Sequence, residues 1–168
     1  MLISRNQSVL STKNNHEAIF QAYLNVRFVF FDYIASRANG VIVSANNPKG
    51  QRCGKRFNQR AALKLEACSK RLFAASGFGG DCTMRYREKS VLIRANKKMA
   101  MHLMRRYRQN GVYLLAQGKV SLLLADGQQF GLPESFDALQ IAKFKRPRQL
   151  PRHNRADYFS GFGIQQNA

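Results

Sequence analysis

Apolar positions first become periodic after residue 14. "NHEAIFQAYL" puts Ile19, Phe20, Tyr23 and Leu24 on one side of a short helix, with Asn15 placed to cap it. "VRFVFFDYI", residues 26–34, is apolar on both alternating faces and rich in β-branched and aromatic side chains, the pattern of a central strand. "GVIVSA" adds a second strand after the turn-like "SRANG". In "NNPKG", Asn47, Pro48 and Gly50 stand at the first, second and fourth positions of a type I turn, where each is favoured. From Asn58 the pattern is helical, with a stripe of Ala61, Leu65, Cys68 and Leu72 opposite Arg60, Lys64, Glu66, Lys70 and Arg71, until "SGFGG" ends it.

"CTMRYREKSVLIR" reads as one long strand, or two with a bend, in which Arg85, Arg87 and Lys89 face away from Met84, Tyr86 and Glu88. A second helix starts at Asn96 and turns Ala100, Leu103, Met104 and Tyr107 inward; "QNG" stops it, with Gly111 suited to the left-handed position after a helix. "VYLLA" and "KVSLLLA" then flank Gln117-Gly118 as a two-residue hairpin. The order (α)ββαβαββ predicts an α+β fold: a mainly antiparallel sheet of about five strands with two helices on one face. Residues 1–14 read as a disordered leader, 15–130 as one domain, and 131–168, with "IAKFKRPRQLPRHNRADYFSGFG", as a basic, largely extended tail. No internal repeat is visible.

Charge changes this picture. Twenty-eight Lys and Arg against nine Asp and Glu leave a formal +19, a self-repulsion that a polyanionic partner relieves. Nucleic acid is the expected partner, ahead of an anionic membrane surface. The longest apolar-leaning stretch, residues 26–35, contains Arg27 and Asp32 and falls short of the roughly 20 residues of a spanning helix. The first residues lack a secretory pattern, so the expected location is cytoplasmic. Cys53, Cys68 and Cys82 are odd in number and form no C-x-x-C pair, which fits a reducing compartment; with His16, His102 and His153 they show no ligand spacing, and neither metal nor cofactor is expected. Cys68 is expected in the core. Cys53, among Arg52, Lys55 and Arg56, lacks a histidine to act as its base.

The stretch around Gly54-Lys55 is not a nucleotide loop, because three residues rather than four separate Gly50 from Gly54 and Arg56 replaces the magnesium-binding hydroxyl. It suits an anion site at a helix start near Asn58, ringed by Lys49, Arg52, Lys55, Arg56 and Arg60; the bland alternative is a solvated basic loop. Lys97 and Lys98 occupy the first turn of the second helix, where cations oppose the helix dipole, so a ligand is a better reason for them than stability. Arg105, Arg106 and Arg108 near its end need no ligand. The tail adds Lys143, Lys145, Arg146, Arg148, Arg152 and Arg155. For acid–base chemistry the inventory is Glu88, Asp32 and the three histidines, with no triad, metal set or carboxylate pair.

"VIVSANNPKG", Asn58, "REKSVLI", Ala100 and "RRYRQNGVYLL" resemble the bacterial family known as domain of unknown function 3293, over roughly residues 23–124. Asn47, Pro48, Gly50, Asn58, Glu88, Ser90 and Gln109 are the positions that match its motifs. The resemblance implies a compact bacterial domain and no activity; the heavy basic load and the C-terminal tail depart from the family. The sequence therefore predicts a non-enzymatic nucleic-acid-binding protein, taking RNA in preference to DNA, or the ribosome, through phosphate contacts. The rivals are a small nuclease or toxin-like enzyme using Glu88 or His102, a DNA-binding accessory protein, and an adaptor for an acidic protein.

Overall fold

The structure is a computed structural model that describes residues 20–35 and 37–141. Seven strands, β1 (Arg27–Phe30), β2 (Gly40–Ser44), β3 (Phe73–Gly80), β4 (Arg87–Ile93), β5 (Gly111–Ala116), β6 (Lys119–Leu124) and β7 (Gln129–Ser135), form one sheet in the order β1-β3-β4-β2-β5-β6-β7. Every neighbouring pair is antiparallel. The helices are α1 (Lys55–Cys68), α2 (Lys97–Tyr107) and the single turn α3 (Phe136–Leu139), with a 3-10 turn at Pro48–Gly50 and a helical stretch over residues 20–24.

The sheet buries both faces. On one, Val41, Val43, Val91, Ile93, Val112 and Leu123 pack against Leu65 of α1 and against Ala100, Leu103, Met104 and Tyr107 of α2. On the other, Phe28, Phe30, Ile42, Leu92, Tyr113, Leu115 and Leu122 enclose Phe136 and Leu139 of α3, with Phe20 and Tyr23 at the margin. This second core exists because the sheet curls until its edges are tied together. Phe28 of β1 forms a parallel bridge with Gln140, just past β7 and α3; the Ile141 amide donates to the Phe28 carbonyl at 2.9 Å, and Arg27 pairs with Glu134 of β7 at 3.1 Å.

The α+β class, the antiparallel sheet and the two helices on one face agree with the sequence. Strand number and order do not: among the described residues there are seven strands rather than about five. The 26–34 run yields only four strand residues, at an edge, and pairs with β3, whereas "GVIVS" is the central strand between β4 and β5. "FAASGFGG", whose "SGFGG" the sequence suggests as a helix stop, is β3. A Cβ at Gly77 would lie 2.1 Å from the Val29 carbonyl oxygen, and one at Gly80 2.3 Å from that of Tyr86. These glycines let neighbouring backbones approach, which is the use of glycine inside a strand.

The residues expected as the beginning of a tail include β7 and α3, whose Phe136 and Leu139 are core residues; residues 142–168 lie outside the described residues. So do the expected leader, Asn15 and Ile19. Helix α1 starts at Lys55 rather than near Asn58, and its inward line is Ala62, Leu65 and Ser69. Ser69 is buried because its hydroxyl donates back to the Leu65 carbonyl at 2.7 Å. Cys68, expected in the core, is exposed, one position off that line. The left-handed residue that ends α2 is Arg108 at φ 52°, and Gly111 opens β5. The hairpin at Gln117-Gly118 forms with both residues at positive φ, as a type I′ turn requires.

Candidate functional site

Strand β2 leaves the sheet at Ser44, opposite Ser90 of β4, and the chain turns sharply through residues 46–50. The Gly50 amide donates to the Asn47 carbonyl at 2.9 Å, with Lys49 at φ 58° and ψ 24° in the third position. That is type II geometry rather than type I, and the third position is normally glycine. Asn47 is left-handed too, at φ 47°. Holding Asn47 and Lys49 there costs about 1–2 kcal/mol for an ordinary residue and less for asparagine.

Side-chain bonds hold this turn in place. The Asn47 amide Nδ2 donates to Glu88 Oε1 at 2.7 Å and to the Tyr86 hydroxyl at 3.0 Å. Its Oδ1 accepts from the Cys53 backbone amide at 3.0 Å and from Asn58 Nδ2 at 2.9 Å, and Asn58 Oδ1 accepts from the Asn47 amide at 3.0 Å. Tyr86 donates its hydroxyl to Glu88 Oε1 at 2.5 Å. Partial burial first, and the Glu88 carboxylate next, push the Tyr86 phenol up to about 12, so it stays a donor at neutral pH. Tyr23, pushed up to about 12 by burial and then Glu88, and Tyr113, raised well above the ordinary tyrosine value by burial first, border the same carboxylate; the Tyr113 hydroxyl donates to the Tyr23 carbonyl at 2.9 Å. The buried Ser90 hydroxyl donates to the Glu88 carbonyl and accepts from the Gly79 amide, both at 3.2 Å. Gln109 Nε2 donates to the Asn46 carbonyl at 2.9 Å and fastens the turn to the end of α2.

All seven family-motif positions thus lie in one region, five of them bonding through their side chains: Asn47, Asn58, Glu88, Ser90 and Gln109. Pro48 and Gly50 shape the turn. Sequence reasoning missed Tyr86, although it set Tyr86 and Glu88 on the same face of one strand.

Beside this network stands the basic loop. Helix α1 has Gly54 at its cap position, and among the described residues no side chain caps it and no acid stands in its first turn, which leaves its first amides without intrahelical partners. Lys49, Arg52, Lys55, Arg56 and Arg60 are all exposed. A shallow groove between the turn and α2 is lined by Lys49, Arg105, Arg108, Gln109 and Asn110, which adds cations on that side.

Lys97 and Lys98 are not part of this loop. They follow Ile93, at the opposite end of β4 from Ser90, and Asn96 caps their helix by accepting from the Met99 amide at 3.0 Å; Lys97 Nζ donates to Gln129 Oε1 at 3.1 Å. The basic strand face is also reduced, since Lys89 pairs with Glu66 of α1 at 2.8 Å and Arg87 lies over the Phe78 ring at 5.2 Å. His102 is exposed on α2 and makes no bond to Glu88. Lys143, Lys145, Arg146, Arg148, Arg152 and Arg155 lie outside the described residues. Among the described residues no three of His, Cys, Asp and Glu gather as metal ligands, and no helix is long and apolar enough to cross a membrane.

Residues 43–112, which contain all seven motif positions and Tyr86, match the model of a family described as protein of unknown function (DUF3293). No curated protein and no solved structure matches the chain.

Proposed function

We propose that this protein is a non-enzymatic nucleic-acid-binding protein that takes RNA mainly through its phosphates. The uncapped, acid-free start of α1, with Lys55 and Arg56 in its first turn, carries this reading. A helix start of this kind combines directed N–H donors with a favourable dipole, and the formal +19 supplies the long-range attraction. Lys49, Arg52 and Arg60, exposed in the same loop and helix start, would add to this attraction, while Lys97, Lys98 and the basic residues after 142 would extend the contact along a chain of phosphates. Binding of this type displaces counterions. The logarithm of the association constant for a single-stranded RNA should fall linearly with the logarithm of salt concentration, with a slope of about −0.7 per phosphate neutralised. Replacing Lys55 and Arg56 by glutamine should flatten that slope by roughly 1.4. Fluorescence anisotropy across a salt series measures both quantities, and a salt-independent affinity overturns the reading. Intact RNA after long incubation is the expected result; cleavage that Glu88→Gln abolishes would favour the nuclease alternative.

A further inference from the structure

Phosphate binding leaves one feature of the turn network unused. Glu88 Oε1 takes both donors, Asn47 Nδ2 and the Tyr86 hydroxyl, while Oε2 accepts no hydrogen bond among the described residues. An ionised carboxylate offers about four acceptor positions, so the half-buried Glu88 retains acceptor capacity directed by its neighbours. Its partners are a neutral amide and a neutral phenol, and the ion pairs Arg27–Glu134 and Lys89–Glu66 lie elsewhere. In so basic a chain, a fixed carboxylate held by neutral groups is suited to receive a neutral donor from outside. One of its partners carries an exposed aromatic ring, and a second exposed ring adjoins Asn58 along the chain. Tyr86 is 58% exposed although its hydroxyl is tied down, and Phe57, in the first turn of α1 and next to Asn58, is 53% exposed. A ring held at one end and bare on its face is a stacking platform.

We infer that Glu88 and Tyr86 form a nucleobase site for single-stranded nucleic acid: an unpaired base stacks on the Tyr86 ring and donates its exocyclic amino group to Glu88 Oε2. The neighbouring phosphate reaches the start of α1. This inference rests on the proposed nucleic-acid reading and deepens it, since the basic loop supplies affinity and the carboxylate supplies choice of base. Adenine and cytosine carry the required amino group, whereas uracil presents carbonyl oxygens at the corresponding positions. The left-handed Asn47 and Lys49 fit such a role, because backbone strain of this kind persists where surrounding bonds hold a functional group in place.

The test is anisotropy titration of the full chain with labelled eight-nucleotide strands of adenine, cytosine or uracil at one salt concentration. The wild type should bind the adenine and cytosine strands roughly tenfold more tightly than the uracil strand, as one hydrogen bond to a charged group allows. In Glu88→Gln the amide oxygen can keep the Asn47 and Tyr86 bonds, which places an NH₂ donor where Oε2 was. The preference for amino-bearing strands should then vanish or turn towards uracil. Tyr86→Leu should weaken all three strands by roughly tenfold through lost stacking. The Lys55→Gln, Arg56→Gln double variant should weaken all three in equal proportion. An unchanged base preference in Glu88→Gln, or unchanged affinity in Tyr86→Leu, overturns the base site while leaving phosphate binding standing. A single cytidine nucleotide bound as tightly as the eight-nucleotide strand overturns the polyanion reading and leaves the base site. Failure of the wild type to bind any strand overturns both.

Discussion

At Asn47 one side chain does the work of several. It bonds Glu88, Tyr86, Cys53 and Asn58 while its own backbone stays left-handed, a conformation asparagine tolerates better than most residues. Asn47→Ala should therefore cost about 3 kcal/mol or more, from net losses of about 0.5–1.5 kcal/mol for each of the hydrogen bonds and the backbone penalty. The urea midpoint measures it. Asn47→Asp separates the two halves of the side chain: it keeps the acceptor for Cys53 and Asn58 but sets a second carboxylate against Glu88. Each carboxyl then holds its proton to higher pH in the folded state than in the unfolded one. The stability of this variant relative to the wild type should accordingly fall as pH rises above about 4, the ordinary carboxylate value. The tyrosines produce the corresponding effect in alkali. Tyr23 and Tyr86 titrate at about 12 when folded, against 10.0 ordinarily, so up to about pH 10 both states keep the proton and stability is unaffected. Above that the unfolded chain ionises first, and stability is lost as pH rises through the folded values. Tyr86→Phe should shrink the fall in urea midpoint seen between about pH 10 and about pH 12.

Among the elements, β3 exposes the limit of reading structure from composition. Its glycines look like punctuation, yet Gly77 admits the β1 backbone, and Gly77→Ala should push β1 off the sheet at a cost of about 3 kcal/mol or more. Hydrogen exchange should show protection lost first at the amides of β1. Gly54→Ala is the control: its Cβ meets nothing within 4 Å, and the change should stay within roughly 1 kcal/mol. Helix α2 was legible because Ala100, Leu103, Met104 and Tyr107 all lie on the buried line that the helical period draws. Helix α1 was legible as a helix but not in register, since the polar Ser69 stands on its inward line and Cys68 does not. Central placement of β2 could not be read because β1 is equally apolar; only pairing across the sheet distinguishes them. The candidate site was half legible. The basic loop is a local sequence feature, and the family-motif positions could be named, but Asn47 and Glu88 lie 41 residues apart and no local pattern states that they bond.

For the molecule as a whole, the ordered fold extends past residue 130, and this can be measured directly. A chain ending at residue 130 loses all but the first two residues of β7 and all of α3, exposing Phe28, Phe30 and Leu122, which Phe136 and Leu139 now cover. It should be insoluble or unfolded. A chain ending at residue 141 retains the closure and should keep the thermal midpoint, while losing nucleic-acid affinity to a similar extent for every sequence because the removed segment is basic. The tie between Phe28 and Gln140 also has a consequence during synthesis. The edge strand that appears early from the ribosome must wait for more than a hundred later residues before its last partner exists. Until then its Phe28 and Phe30 side chains and its open backbone edge are available to neighbouring nascent chains, which makes that interval the one in which chaperone supply decides yield.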